Sequence, residues 1–312
     1  MKKSIYIFSP SSAVSDKLAF KRGVKRLKSL GYEVEVDKAA LEIHQRFAGD
    51  DETRIAAIYR ACASGADIAM ISRGGYGLTR ILPAIDYEIV STAISRGTQF
   101  VGFSDFTAFQ MALFAKTGAV SWAGPSLGED FGALAGSDDI MEACFNDMVT
   151  GQGEGSGWRM PKTVIKQKDP FSVSTAYSID NSVLWGGNLA MLTSLVGTPY
   201  LPVVENGILF IEDIGEHPYR VERMLAQLLQ AGILAQQRAI IFGQFTQYKL
   251  VPHDKNYQMA SVIEWLKKQV NALVLTGLPF GHVATKIVLP VGMPVTLAVE
   301  GRDAFLLWGH QH

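Results

Sequence analysis

The segment Val101-Gly102-Phe103-Ser104-Asp105-Phe106-Thr107 lies where a short apolar run, Gln99–Gly102, turns into an apolar helical pattern. The run predicts a buried strand, and the pattern after it predicts a helix. A sharp turn between them exposes the Ser104 hydroxyl, and the amides that open the helix can bind a developing oxyanion, as in a nucleophile elbow. The segment departs from G-x-S-x-G because position 106 is Phe. A serine after a strand is also a common helix N-cap, a role that Asp105 fits equally well.

The N-terminal half alternates short apolar runs with amphipathic stretches, the rhythm of βαβ units. Further strands are predicted at Ile5–Phe8, Tyr32–Val36 and Ile68–Ser72, and helices at Asp16–Leu30, Asp50–Ser64, Phe106–Thr117 and in a short segment before Pro83. Strands that alternate with helices form parallel sheets covered by helices. We therefore expect an α/β fold whose residues 1–150 form an N-terminal parallel-sheet domain with the nucleophile elbow.

A glycine-rich segment, Arg73-Gly74-Gly75-Tyr76-Gly77, follows one of these predicted strands. Its glycines let backbone N–H groups approach a ligand closely, which suggests a cradle for an anion or oxyanion, although a plain tight turn is the alternative. It matches neither the phosphate loop nor the dinucleotide fingerprint. Ligands meet parallel sheets at the carboxyl ends of strands. We therefore expect this segment, Ser9–Ser12 and Phe103–Asp105 to converge on one rim.

The segment 151–178 begins with four glycines at alternate positions and continues with polar residues and prolines, which predicts a linker. Beyond it, strands are predicted at Val183–Trp185, Gly207–Ile211, Ala239–Phe242, Leu273–Leu275, Lys286–Leu289, Val295–Val299 and Ala304–Trp308, and helices at Asn188–Val196, Pro218–Ala231 and Tyr257–Val270. Because the last third is rich in strands, residues 179–312 are expected to form a β-rich C-terminal α/β domain.

The charge balance excludes some classes of partner. The 312 residues include 29 Lys and Arg against 30 Asp and Glu, so we expect no binding to nucleic acid or to an anionic membrane surface. No apolar stretch reaches the roughly 18 residues of a membrane-spanning helix, and the apolar run near the N-terminus is too short for a signal peptide. Cys62 and Cys144 lack CxxC spacing and are expected to be inert thiols in a reducing compartment.

A serine nucleophile needs a base, and the chain has six histidines. Four lie in polar segments or at the C-terminus and are expected at the surface. These four are His44, His253, His310 and His312. His217 precedes a proline and is expected to cap a helix. His282, on a glycine-containing loop after the predicted strand Leu273–Leu275, is the best placed base.

The end of the predicted strand Gly207–Ile211 supplies carboxylates that can orient an imidazole. Asp213 and Glu216 are expected to cap the next helix instead, which leaves Glu212 for chemistry. No HExxH, HxxxH or clustered His and Cys spacing indicates a metal site. The glycines of Trp185-Gly186-Gly187-Asn188 allow close approach to a ligand, although a plain strand-to-helix turn explains them equally well.

Several segments together resemble the LD-carboxypeptidase (muramoyltetrapeptide carboxypeptidase) family of serine peptidases. The main ones are Arg73-Gly74-Gly75-Tyr76-Gly77, Gly102-Phe103-Ser104-Asp105-Phe106-Thr107 and Ile211-Glu212-Asp213-Ile214-Gly215-Glu216. Further ones are Ser9-Pro10-Ser11, Leu184-Trp185-Gly186-Gly187-Asn188-Leu189, Pro218-Tyr219-Arg220-Val221-Glu222-Arg223-Met224-Leu225 and Gly281-His282. The resemblance runs from about Ile5 nearly to the C-terminus. Each motif is weak alone, but the ordered set is specific.

The resemblance implies a Ser-Glu-His catalytic triad of Ser104, Glu212 and His282. The nucleophile belongs to the N-terminal domain and the other two residues to the C-terminal domain. The resemblance also implies an oxyanion hole of backbone amides from Asp105 and from a glycine of the glycine-rich segment, Gly75 or, as the alternative, its neighbour Gly74.

The implied reaction is hydrolysis of the LD-amide bond that releases the terminal D-alanine of murein tetrapeptides, after meso-diaminopimelate or lysine, in cytoplasmic cell-wall recycling. It needs no cofactor, and the resemblance suggests a homodimer. Two alternatives stay open at this stage. One is a hydrolase of a peptidyl- or aminoacyl-nucleotide antibiotic with the same triad, and the other is a non-catalytic small-ligand-binding module in which Ser104 is only a helix cap.

Overall fold

The computed structural model describes residues 2–162 and 176–309, so His310 and His312 lie outside the described residues. Its strands are β1 (Ser4–Phe8), β2 (Glu33–Val36), β3 (Ile68–Ile71), β4 (Gln99–Gly102), β5 (Ser121–Ala123), β6 (Gly155–Arg159), β7 (Tyr177–Asn188), β8 (Gly207–Ile214), β9 (Gln237–Thr246), β10 (Leu273–Thr276), β11 (Leu289–Val291), β12 (Met293–Glu300) and β13 (Asp303–Leu307). Its α-helices are α1 (Lys17–Ser29), α2 (Asp51–Ala63), α3 (Leu78–Ile81), α4 (Tyr87–Ser95), α5 (Phe106–Thr117), α6 (Asp139–Thr150), α7 (Leu189–Ser194), α8 (Pro218–Gln230) and α9 (Met259–Lys267). Within the two described ranges, no helix is both long and apolar enough to cross a membrane.

The first sheet has six strands in the order β11-β5-β4-β3-β1-β2. Strands β1 to β5 pair in parallel, and β11 joins the edge antiparallel to β5. Strand β4 lies between β3 and β5, and its Phe100 and Val101 are fully buried. An interior strand of a parallel sheet is covered on both faces, so only its carboxyl end reaches a ligand. Ser104 lies at that end.

The second sheet has seven strands in the order β10-β9-β8-β7-β12-β13-β6. Strands β7 to β10 pair in parallel, and β12, β13 and β6 continue the sheet antiparallel. The segment 151–178, expected to be a linker, contributes β6 to this sheet, and its residues 163–175 lie outside the described part of the chain. The expected fold class, a parallel α/β layer followed by a β-rich α/β part, is confirmed.

Helix α5 connects the two sheets. Its residues 106–113 are all buried, and it contacts β5 and α4 of the N-terminal half as well as β7 and α7 of the C-terminal half. The rings of Phe106 and Phe109 stack with centroids 4.9 Å apart. Burying each such side chain stabilises the fold by about 1.5–3 kcal/mol. The predicted bounds of this helix are confirmed, and its N-terminus points the nucleophile turn at the second sheet.

The sequence patterns missed α4, β5 and α6. Helix α4 contains Ile89, Val90, Thr92 and Ile94, β-branched residues that disfavour an isolated helix. It forms because Asp86 accepts the N–H of Glu88 at its N-terminus and because the helix packs against α2 and α5. Tertiary packing therefore outweighs local propensity in this segment.

Candidate active site

Ser104 is held in a strained turn at the carboxyl end of β4. Its φ is +64°, a left-handed conformation that residues other than glycine rarely adopt. The helix begins at once, since the N–H of Thr107 donates to the Ser104 carbonyl at 2.9 Å. Only glycine fits at position 102, because a Cβ there would lie 2.7 Å from side-chain carbons of Ile71 and Phe106. These features are those of the nucleophile elbow expected from the sequence.

A hydrogen-bonded chain joins Ser104 to an imidazole and a carboxylate from the second half of the protein. Nε2 of His282 lies 3.1 Å from Oγ of Ser104, and Nδ1 of His282 lies 2.8 Å from Oε2 of Glu212. Glu212 is fully buried on β8, and His282 lies on the loop after β10. Gly281 has φ +135°, and a Cβ there would lie 3.0 Å from Oε2 of Glu212. The chain has the geometry of a serine-histidine-acid triad.

The environment of His282 favours its protonated form. Burial alone would lower the pKa of His282, but the hydrogen bond and the charge of Glu212 outweigh burial, so the pKa is raised above its ordinary value. The charge of Glu129 also raises this pKa, whereas Lys286 lowers it. An imidazole with a raised pKa is a stronger base once it is neutral. Glu212 therefore both orients His282 and increases its basicity.

Asn188 holds the Glu212 carboxylate through the oxygen that does not contact His282. Its Nδ2 donates to Oε1 of Glu212 at 3.2 Å and to Oδ1 of Asp213 at 3.0 Å. Its backbone N–H donates to Oγ1 of Thr107 at 3.0 Å. The neighbouring Gly187 has φ +135°, and a Cβ there would lie 2.5 Å from the same oxygen, so the Trp185–Asn188 segment permits this approach only with glycine. Asn188 thus connects the helix that follows the nucleophile to the strand that carries the acid.

The capping roles expected for Asp213 and Glu216 are wrong. Asp213 accepts the N–H of Ala190 at 2.9 Å, so its carboxylate caps α7, which starts beside the end of β8 in the parallel pair. Glu216 forms an ion pair with Arg220 on the surface. The residue that caps α8 is His217, as predicted, and its imidazole also contacts Asp254 at 3.0 Å.

Asp213 and Glu212 form a pair of adjacent buried carboxylates. Burial, and next the charge of Glu212, raise the pKa of Asp213 from 3.8 to about 6. Three hydrogen-bond donors partly offset this rise, the N–H of Ile214, Nδ2 of Asn188 and the N–H of Ala190. Glu212, the candidate acid, is therefore held next to a second carboxylate whose pKa is about 6.

The glycine-rich segment packs directly on Ser104. A Cβ at Gly74 would lie 2.8 Å from Cβ and 2.9 Å from Oγ of Ser104. A Cβ at Gly75 would lie 2.3 Å from Oγ of Ser12, a hydroxyl that accepts the N–H of Tyr76 at 2.9 Å. Both glycines are therefore required for the close approach of this backbone to the nucleophile turn. The choice between their amides as an oxyanion donor stays a prediction.

The side chain of Asp105 joins the three loops at this rim. It does not cap α5, contrary to the alternative left open by the sequence. Its Oδ2 accepts the Ser11 hydroxyl and, at 2.9 Å, the N–H of Leu78. Burial is the main cause of the raised pKa of Asp105. The segments Ser9–Ser12, Arg73–Gly77 and Phe103–Asp105 thus converge as expected, and the Asp105 amide is left at the start of the helix beside Ser104.

A buried ion pair, which the sequence did not reveal, supports His282. The ring of Phe103 packs on the His282 imidazole with centroids 4.9 Å apart. Nζ of Lys286 lies 3.6 Å from the centroid of the same Phe103 ring and 2.7 Å from Oδ1 of Asp130. Both charged side chains are almost fully buried. The sequence predicts a strand that begins at Lys286, but β11 starts only at Leu289, and no local pattern indicates the partner of this lysine.

The other histidines within residues 2–162 and 176–309, and both cysteines, take no part in this arrangement. His44 and His253 are exposed, as expected. Burial raises the pKa of the Cys62 thiol to about 12 and also raises that of Cys144. In residues 2–162 and 176–309, no group of three or more His, Cys, Asp and Glu side chains is arranged to hold a metal ion.

Comparison with known proteins gives matches along most of the chain. Residues 5–124 match the model of the LD-carboxypeptidase N-terminal domain, and residues 181–297 match that of the LD-carboxypeptidase C-terminal domain. The crystal structure of muramoyltetrapeptide carboxypeptidase from Oxalobacter formigenes is 38% identical, with a TM-score of 0.84, and the match covers 98% of this chain and 99% of that one.

Two curated relatives differ in their described roles. The probable murein peptide carboxypeptidase of Bacillus subtilis is 28% identical over 281 residues, which cover 90% of this chain and 84% of that protein. The microcin C7 self-immunity protein MccF of Escherichia coli is 26% identical over 325 residues, which cover 96% of this chain and 92% of that protein. The two domain models and the 38% identity over nearly the full length lead to one conclusion: the chain belongs to the LD-carboxypeptidase family.

Proposed function

We propose that this protein is a serine carboxypeptidase that hydrolyses the LD-amide bond and releases the terminal D-alanine of murein tetrapeptides in cytoplasmic cell-wall recycling. The observation that carries the proposal is the hydrogen-bonded chain from Ser104 through His282 to Glu212. Similarity to muramoyltetrapeptide carboxypeptidase from Oxalobacter formigenes supports the choice of reaction.

In the acylation step, Oγ of Ser104 attacks the scissile carbonyl carbon while Nε2 of His282 takes the hydroxyl proton. The carbonyl electron pair moves onto its oxygen, and the amides of Asp105 and Gly75 hold the resulting oxyanion. Glu212 stabilises the imidazolium that forms. The tetrahedral intermediate collapses when the carbon–nitrogen bond breaks and His282 transfers its proton to the amine of the departing D-alanine.

Deacylation repeats these steps with water as the nucleophile. The imidazole of His282 removes a proton from water, the hydroxide oxygen attacks the ester carbonyl, and the proton returns to Oγ of Ser104 as the ester bond breaks. Ser104 and His282 follow strands of different sheets, so the separation of the two halves sets the geometry of both steps. A misplacement of about 1 Å at this junction is expected to reduce the rate about 100-fold.

A second candidate reaction is cleavage of an aminoacyl- or peptidyl-nucleotide conjugate by the same three residues. The observation that favours it is the similarity to the microcin C7 self-immunity protein over 96% of this chain. The triad geometry is common to both reactions, and only the groups that line the substrate pocket distinguish them.

The test is an activity assay with both substrate classes. We expect the protein to release D-alanine from a murein tetrapeptide, and Ser104→Ala to abolish the release. The matched control is Ser64→Ala, since Ser64 ends α2 and its hydroxyl bonds backbone groups close in sequence, the carbonyl of Ala61 and the N–H of Ala66. Turnover of an aminoacyl-nucleotide conjugate without any release of D-alanine would replace the proposal with the second candidate.

A further inference from the structure

A π-helical turn, Leu127–Phe131, places Glu129 beside the candidate active site. On one side of Glu129, the N–H of Gly128 donates to the carbonyl of Ser72 at 2.9 Å. Ser72 directly precedes the glycine-rich segment that packs on Ser104. Single π-helical turns are rare and are frequent at functional sites. This flank of the turn is therefore fixed to the backbone that lines the nucleophile.

The residue on the other side of Glu129 is connected to His282, the candidate base. Asp130 follows Glu129 and forms the buried ion pair with Lys286, whose ammonium lies over the ring of Phe103. That ring packs in turn on His282. Breaking a buried ion pair by removing one partner typically costs about 3–5 kcal/mol, so this flank resists displacement. Glu129 is thus held between contacts that lead to Ser104 and to His282.

The Glu129 carboxylate has no hydrogen bond or ion pair with any described residue, and its side chain is exposed. Even so, the surrounding protein raises the pKa of Glu129, with Asp130 as a further cause, while His282, Lys286 and Arg73 act in the opposite direction. Solvent therefore reaches Glu129 where its neighbours Gly128 and Asp130 are fixed to Ser72 and to Lys286. Glu129 is therefore an exposed, unpaired carboxylate between one segment that leads to Ser104 and another that leads to His282.

We propose that Glu129 is a specificity residue that binds the side-chain ammonium of the substrate residue supplying the scissile carbonyl, a lysine or a diaminopimelate. This inference rests on the proposed function, because it concerns the substrate of the same site. The scissile carbon must approach Oγ of Ser104 to about 3–3.5 Å, so the side chain of that residue starts at the catalytic pair. An ammonium at the end of that substrate side chain therefore lies within one side-chain length of the triad. Glu129 is an unpaired carboxylate in this region.

Substrate binding changes the cost of leaving Glu129 unpaired. A bound peptide displaces water from this carboxylate, and a desolvated carboxylate without a partner is unfavourable. A substrate ammonium removes that cost and adds a charge-assisted hydrogen bond, whereas a neutral side chain of similar length does not. Glu129 consequently favours a cationic acyl residue in two ways. It attracts the ammonium, and it disfavours a neutral side chain, which would leave the desolvated carboxylate without a partner.

The experiment is a binding cycle in the Ser104→Ala protein, which holds the peptide without cleaving it. Calorimetry measures the affinity for a stem tetrapeptide with lysine at the third position and for the same peptide with its ε-amine acetylated. Both peptides are tested with Glu129 present and with Glu129→Gln. The matched control is Glu264→Gln on α9, since Glu264 is exposed and pairs only with Lys267 at 3.3 Å.

We expect acetylation to weaken binding about tenfold when Glu129 is present, and to have almost no effect in Glu129→Gln. Glu264→Gln should keep the tenfold discrimination. Equal losses on acetylation with and without Glu129 would overturn the inference. D-alanine release by the unmodified protein is measured separately, so its absence with intact discrimination would refute the proposed reaction and leave the cation site standing.

Discussion

Replacing Ser104 by glycine and by alanine separates the strain in its turn from the chemistry of its hydroxyl. Alanine keeps the Cβ, and with it the unfavourable φ of +64°, whereas glycine adopts that conformation freely. A left-handed conformation costs a residue with a Cβ about 1–2 kcal/mol. The greater freedom of glycine in the unfolded chain offsets about 0.4–1 kcal/mol of this gain. We therefore expect Ser104→Gly to be about 0.5–1 kcal/mol more stable than Ser104→Ala.

The same pair of substitutions at Ser64 is the control. Ser64 has φ −67° at the end of α2, where glycine is expected to be about 0.5–1 kcal/mol less stable than alanine. The glycine-minus-alanine difference should thus have opposite signs at the two sites. Subtracting the glycine-minus-alanine difference in unfolding free energy at position 64 from that at position 104 gives about 1–2 kcal/mol, which is the strain at the nucleophile turn.

Denaturant unfolding of the four variants measures these differences, and thermal unfolding should place Ser104→Gly about 2 °C above Ser104→Ala. Both Ser104 variants should lose activity by at least about three orders of magnitude, because each lacks the hydroxyl. The reasoning is refuted if glycine is less stable than alanine at position 104 by as much as at position 64. That result would mean that the turn stores no strain.

Three further predictions concern the surroundings of Ser104. Glu212→Gln removes the charge that raises the pKa of His282, so the acidic limb of the pH–rate profile should move to lower pH while the plateau falls by orders of magnitude. Gly74→Ala places a Cβ 2.8 Å from Cβ of Ser104 and should cut activity at least tenfold, whereas Gly153→Ala, with its nearest contact at 3.4 Å, should not. The raised pKa of Asp213 means that its stabilising contribution is full below pH 3.8 and is lost as the pH rises through about 6. Unfolding measured at pH 4 and pH 7 should therefore show Asp213→Asn gaining about 2 kcal/mol relative to the unmodified protein between these values.

Each of these predictions has a contrary result. An unchanged acidic limb in Glu212→Gln would mean that Glu212 does not control the ionisation of His282. Equal activities of Gly74→Ala and Gly153→Ala would mean that the glycine-rich backbone does not approach the nucleophile. A pH-independent stability difference for Asp213→Asn would mean that this carboxyl has the same pKa in the folded and in the unfolded protein.

The sequence predicts the parts of the site that depend on a scarce residue type or on a helix whose ends are marked by a turn and a glycine. Helix α5 begins after a sharp turn and ends at Gly118, which takes a left-handed conformation. Both features can be identified in the sequence, so the bounds of the helix can be predicted. His282 stands out because the chain has six histidines and the other five are expected at the surface or as a helix cap. The structure brings it within hydrogen-bonding distance of Ser104 and Glu212.

The features that were predicted wrongly or missed depend on contacts between segments far apart in the chain. Asp213 was assigned to the helix nearest in sequence, but β8 continues to Ile214 and its parallel pairing with β7 places Asp213 beside the start of α7. The ion pair of Lys286 with Asp130 joins residues far apart in the chain, and neither has a local pattern that indicates the other. Sequence periodicity reports which face of an element is buried, but not which element lies against it.

The central claim is that Ser104 is a nucleophile activated by His282. Intact-protein mass spectrometry after brief exposure to a fluorophosphonate tests it directly, with fragmentation to locate the adduct. We predict one adduct per chain on Ser104, and labelling at least about 100-fold slower in His282→Ala, because the base is then missing. Absence of an adduct on Ser104 in the folded, unmodified protein, or equally fast labelling in His282→Ala, would contradict the claim.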